Sequence, residues 1–399
     1  MFTPEQLKKY AEVLIWGLET SRGKKIKPGG TVLIQYDAPA LKLAEILYGL
    51  LVRKRTLVVQ RVNKTANMEL DFFLEAGPKQ LLFQVPGDLE LYENLDGAIH
   101  LLAPKSLTHL KDIDPEWLHT AAQARKPLND ILERRERSGD YGRTLCVYPT
   151  REIARCAGLS LKDYAKQLIK ACYLDKSDPV HEWKLTRKKI QAVLDWLNSM
   201  DVDSYHIESE KIDLVITPGE RRKWIGLTGQ NIPSFEVYLS PDWRGTKGVY
   251  FADLSSYRNG NLIQGIRLLF ERGNVVKAGA DVGGGVLRNQ ITTDKGAARL
   301  GEFSLTDTRF SRIDRFMAMT LLNENFGGGH GNCHVALGAS LPEAYAGDPA
   351  SLTEERKKEL GLNSSSLHWD MINTEKKTVT ARLSSGKKKI IYENGRFTY

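Results

Sequence analysis

Apolar and polar positions follow two different patterns along the chain. In the first half, short apolar runs alternate with segments of helical spacing. Residues 31–36 (TVLIQY) form a partly β-branched run after a Gly-Gly turn and predict a strand. Residues 39–53 then place Leu41, Ala44, Leu47 and Leu51 on one face of a helix. Further strands are predicted at 57–60, 80–85, 98–102 and 145–148. Strands separated by helices predict a mostly parallel sheet. Two helices follow. Ser160 caps the first, whose Leu161, Tyr164, Leu168, Ile169 and Cys172 share a face, and Pro179 opens the second, which runs to about residue 200.

After Asp201 the pattern changes to short strands separated by Gly, Pro and Asn turns, at 212–217, 224–227, 236–239 and 249–252. The chain ends as a predicted hairpin, 378–383 and 389–392 around a Ser-Ser-Gly turn. Within this half one helix is expected, with Ser351 and Glu354 as its capping box and Gly361 as its stop. The fold class read from these patterns is α/β. An amino-terminal α/β domain with a mostly parallel sheet (1–205) precedes a carboxy-terminal β-rich α+β domain (206–399), with the boundary near 201–210.

Composition narrows the function. The 399 residues are 41% hydrophobic and 27% charged, which fits a globular protein, and no apolar run approaches membrane-spanning length. The amino-terminal stretch MFTPEQLKKYAEVL lacks the layout of a secretory signal. Four cysteines without CxxC spacing argue against a disulfide scaffold, so a reducing cytoplasm is the expected compartment. The net charge of +8 raises the question of nucleic acid, but the basic residues are spread and interleaved with acids, so none is expected as a partner. His181-Glu182 begins an HExxH that fails at Leu185, and no GxGxxG, phosphate loop or GxSxG elbow is present.

What remains is a series of acids and histidines in apolar or Gly-rich settings: Glu236, Glu302, Glu324, His334, His368 and Asp370. A charge in such a setting is costly unless compensated. Six oxygen and nitrogen donors suit two divalent ions without a thiolate. In His368-Trp-Asp370 the two polar side chains, two residues apart, share one face of a strand. Cys333, beside His334, is expected on the opposite face as packing. Glu324 is expected to end an apolar helical stretch over 316–322. A buried His–Asp pair, or a core histidine at 334, would explain some of these residues singly but not the whole series.

Four segments in order, NIPSFEVYLSP, TTDKGAARLGEFSL, TLLNENFGGGHGNCHVALG and SSSLHWDMI, resemble the thermophilic aminopeptidases, the aminopeptidase T and aminopeptidase S group of dinuclear metallopeptidases. The resemblance is strongest over 224–399, and KPGGTVLIQYDAPALKLAEILY extends it into the first half. The family's metal ligands fall on Glu236, Glu302, Glu324, His334, His368 and Asp370, with Glu302 or Glu324 as candidate general base and Glu302 taken as the catalytic carboxylate. The resemblance implies two ions of zinc, cobalt or manganese, peptide substrates with a free amino terminus, and a homodimer. It departs from the family at Phe235, where a glycine is usual and a ring would narrow the pocket, and at Leu341, where a tyrosine is usual and the next one is Tyr345. The alternatives are a hydrolase of another small amide or ester, and an inactive scaffold, which these two departures favour.

Overall fold

The computed structural model describes residues 2–399 as two compact units. The first comprises the chain to Glu182 together with Thr228–Pro233 and Asn259–Asn261, and the second comprises Trp183–Leu227, Ser234–Arg258 and Leu262–Tyr399.

The first unit is built on a five-stranded sheet in which every pairing is parallel. Its order is Leu57–Val62, Thr31–Tyr36, Gly97–Leu102, Gly142–Val147 and Asn231–Ile232. Parallel neighbours require crossovers, and the helix Leu41–Arg53 supplies one, burying Leu43, Ala44, Leu47 and Leu51. The helix Pro4–Arg22 starts at a capping box. Thr3 Oγ1 accepts from Gln6 N at 3.2 Å, and Gln6 Oε1 accepts from Thr3 N at 2.9 Å. Tyr10 on this helix is fully buried and donates its hydroxyl to Val147 O at 3.1 Å, tying the helix to the sheet.

One predicted strand is absent. Residues 80–85 begin in the helical turn Pro78–Leu81, and Leu82, Phe83 and Val85 are exposed. The turn wins because Pro78 is preset for a first helical position and Gln80 Oε1 accepts from Gly77 N at 2.8 Å. The helices predicted after Ser160 and Pro179 are Leu161–Ala171 and Pro179–Asn198, and Ser160 does cap the former.

The second unit is antiparallel. An eight-stranded sheet has the order Asn274–Gly279, Ile266–Glu271, Asp242–Ala252, Asp213–Thr217, Val202–Glu208, Thr378–Leu383, Lys388–Glu393, Arg396–Phe397, so the expected terminal hairpin lies toward one of its edges. A five-stranded sheet has the order His368–Asn373, Asn332–Gly338, Leu300–Thr306, Glu236–Leu239, Ile225–Gly226. Two local expectations are corrected here. The helix Glu354–Glu359 is capped by Thr353, whose Oγ1 accepts from Arg356 N at 3.1 Å, while Ser351 ends a separate 3-10 turn. The helical stretch expected over 316–322 shrinks to the single turn Thr320–Asn323, because Ala318 is left-handed (φ 54°) and Asn323 Oδ1 accepts from Met317 N at 2.9 Å.

Candidate metal centre

All six acids and histidines singled out in the sequence lie on or beside the five-stranded sheet of the second unit, and register explains how four strands bring them together. Thr306 stands opposite both Glu236 and Asn332, Ser304 opposite His334, Ala336 opposite Asp370, and Gly338 opposite His368. Directly opposed residues share a face, so one side of the sheet carries the polar set. The alternate positions Val237, Phe303, Leu305, Cys333, Val335, Leu337, Trp369 and Met371 are buried on the other side. Cys333 is thus packing, and burial pushes its thiol up to about 11.

The register slips by one residue between Leu300 and Glu302, a bulge that ends just before Glu302, which pairs with Ala336 in step with Ser304 and Thr306. Gly301 makes the slip possible, because a side chain there would run into the carbonyl oxygens of Gly338 and Ala339. The sequence R-L-G-E-F therefore has a local reason for its glycine.

Glu302 is the centre of the cluster. Its Oε1 lies 3.3 Å from His334 Nε2, and its Oε2 lies 3.2 Å from His368 Nε2. His334 Nε2 is also 3.6 Å from Glu236 Oε2 and 3.9 Å from Asp370 Oδ1. His368 Nε2 is 3.3 Å from Asp370 Oδ1, and its Nδ1 lies 3.0 Å from Ala339 O. Donating that proton to the carbonyl leaves Nε2 free to ligate. Ligand atoms of Glu236, Glu302 and His334 lie within 4.8 Å of one another, as do those of Glu302, His368 and Asp370. The two triplets share Glu302, and Glu324 belongs to neither.

Glu324 follows the Thr320–Asn323 turn. Its main-chain carbonyl is held from two neighbouring strands, by Thr306 Oγ1 at 3.1 Å and Asn332 Nδ2 at 3.0 Å. Its carboxyl meets the cluster through charge. Burial first, then the Glu236, Asp370 and Glu302 carboxylates, hold its pKa well above the ordinary range. Glu236 is pushed up to about 8, by burial and then chiefly by the Glu302 charge. Burial also acts on Asp370 and Glu302 but is outweighed. The His368 charge and hydrogen bond take Asp370 down to about 2, and hydrogen bonds from His334 and His368 lower Glu302. Both imidazoles are raised despite burial, because carboxylates face them, Glu302 foremost at His334 and Asp370 at His368. The set thus carries four carboxylates against two imidazoles in a buried place, a charge imbalance that divalent cations would relieve.

The two departures noted in the sequence fall elsewhere. Ser234 Oγ lies 3.5 Å from Glu236 Oε1, whereas the fully buried Phe235 ring stacks on Trp183 (centroids 5.2 Å apart, 18° between planes). Strand alternation sends the ring into the core, so it does not narrow the polar face as expected. Tyr345 is buried with Leu352, Leu360 and Leu362 in a satellite core. Sequence reading missed Arg258, whose Nη1 donates to His368 O at 3.0 Å. Nothing in SSYRNG announces it, since the contact spans 110 residues.

Aminopeptidase PepS of Streptococcus thermophilus is 27% identical over 416 residues, spanning 98% of this chain and 97% of that protein. Aminopeptidase T of Thermus aquaticus is 29% identical over 242 residues, 58% of this chain and 57% of that one. The solved structure of wild-type AmpT from Thermus thermophilus shares the fold, with a TM-score of 0.82 over 99% of both chains at 22% identity. The profile of the thermophilic metalloprotease (M29) family matches residues 3–397, and the chain belongs to that family.

Proposed function

We propose that the chain is a metallo-aminopeptidase that hydrolyses the amino-terminal bond of peptides with two co-catalytic divalent ions, zinc, cobalt or manganese. The observation that carries this reading is the pair of ligand triplets sharing Glu302, each within 4.8 Å. Oxygen and imidazole donors without thiolate fit such ions. We assign Glu236, Glu302 and His334 to one ion and Glu302, His368 and Asp370 to the other, with Glu302 as the shared catalytic carboxylate. A bound pair of such ions lowers the pKa of a water and polarises the scissile carbonyl.

The residues have separable tasks. Glu302, held in register opposite Ala336, presents one oxygen to each imidazole. His334 and His368 each orient one of its oxygens. Glu324, expected from sequence as a sixth ligand, stands outside both triplets. We assign it to accept the proton of the attacking water and pass it to the leaving amine. All six residues lie within 206–399, which we propose as the catalytic domain. No helix among the described residues is long and apolar enough to cross a membrane. A cytoplasmic homodimer, implied by the sequence resemblance, belongs to the same proposal, and the four free cysteines support a reducing compartment.

An aminopeptidase must engage the free α-amine. Dipeptides and aminoacyl anilides with a free amine are therefore expected to be cleaved, and their N-acetyl forms to be inert, in a liquid-chromatography assay of released amino acid. Equal cleavage of both forms would move the assignment to an endopeptidase or general amidase, and cleavage of neither, with metal bound, to an inactive scaffold.

Loading should also depend on pH. With Glu236 at about 8 and Glu324 and both imidazoles raised, the metal-free cluster holds protons near neutrality that ligation must displace. Apparent metal affinity should rise as pH increases toward about 8, with proton release on binding. Calorimetry in two buffers of different ionisation enthalpy measures both. Affinity that stays flat over this range, with no protons released, would contradict the assigned ligand set.

A further inference from the structure

Arg258 is an unusual neighbour for the cluster. It ends the short strand Ser256–Arg258, and Trp369 Nε1 donates to Ser256 Oγ at 3.0 Å, which seats this strand against the strand that bears His368 and Asp370. Its guanidinium lies over the Trp369 ring, 5.7 Å from the centroid. Nη1 donates to His368 O at 3.0 Å and Nε to Gln290 Oε1 at 3.3 Å. Both acceptors are neutral, and among the described residues no carboxylate forms an ion pair with it. The one acid that acts on it is Asp370, from beyond ion-pair range.

A largely buried cation held by two neutral oxygens is costly unless an anion meets it. The proposed metal site engages the Asp370 charge, so Asp370 cannot fill that role in the working enzyme. The fork is held by Nη1 and Nε, which leaves Nη2 to bind without reordering the side chain. Through His368 O the guanidinium adjoins the strand that carries the most exposed members of the cluster, His368 and Asp370, with side chains 31% and 15% accessible.

Resting on the aminopeptidase reading, we infer that Arg258 is a specificity-determining residue that binds the terminal carboxylate of a short peptide. The favoured substrates are then dipeptides and tripeptides with a free carboxylate. In a dipeptide that group lies one residue, about 3.5 Å, beyond the scissile bond. Longer peptides and amidated ones forgo the contact.

The test compares a dipeptide free acid with its carboxamide, and a hydrolysis-resistant reduced dipeptide in the same two forms. KM is measured for the first pair and Kd by calorimetry for the second, on metal-loaded protein. In the wild type the acid should be favoured by about 10- to 100-fold in both quantities, the range for a charged hydrogen-bond partner. Arg258→Gln should bring this ratio near one, and Arg258→Lys should restore part of it. The ratio is informative because lost metal or a shifted His368 weakens acid and amide together. A wild-type ratio near one overturns the inference, as does an unchanged ratio in Arg258→Gln. Failure of the aminopeptidase reading would look different. Neither dipeptide would be cleaved, and the reduced pair would still report whether Arg258 discriminates a carboxylate.

Discussion

Glu302→Gln should lose metal and activity together. The substitution keeps the size of the side chain and one acceptor oxygen but removes the charge that both triplets share. Each oxygen of Glu302 now faces a different imidazole, at 3.3 and 3.2 Å. An amide offers only one acceptor, and its NH2 would point at one of the two sites. We expect kcat to fall by at least about 10²-fold, with bound metal well below that of the wild type. Glu324→Gln is the contrasting variant. It should show a comparable loss of rate with metal retained, because Glu324 lies outside both triplets. Steady-state kinetics and elemental analysis on the same preparations check both. If Glu302→Gln keeps full metal and loses only rate, the shared-ligand role passes to another residue and Glu302 becomes the base.

The second large effect is on stability. Phe235→Ala removes a fully buried ring stacked on Trp183, at a site whose backbone N–H is fixed by Asn325 Oδ1. Truncating such a ring costs about 3–5 kcal/mol. Denaturant unfolding should show a lowered midpoint, while the range of cleaved amino-terminal residues stays as in the wild type. A broadened range with unchanged stability would mean that the ring borders the substrate.

Phe235 also marks where sequence patterns are legible and where they mislead. Alternation along a strand is local, so spacing alone places His368 and Asp370, two residues apart, on one face, and the TVLIQY run coincides with the strand Thr31–Tyr36. The same rule applied at 235 and 236 turns Phe235 away from the polar face, whereas its departure from a family pattern suggests a pocket effect that the fold does not bear out. Segment 80–85 has strand-like composition, yet the Pro78 turn and the Gln80 cap decide it first, and no sheet edge receives it. The stretch at 316–322 has helical spacing, but a left-handed Ala318 breaks it, which composition does not reveal. Strand order is non-local. Asn231–Ile232 joins the parallel sheet beside Gly142–Val147 from far along the chain, and no pattern in either segment signals the pairing. Arg258 is invisible in the sequence for the same reason.

The most direct test of the central claim is the metal stoichiometry of protein loaded with zinc, cobalt or manganese and then dialysed, measured by elemental analysis. Two triplets sharing Glu302 predict about two ions per chain. A value near zero under every loading condition would contradict the account.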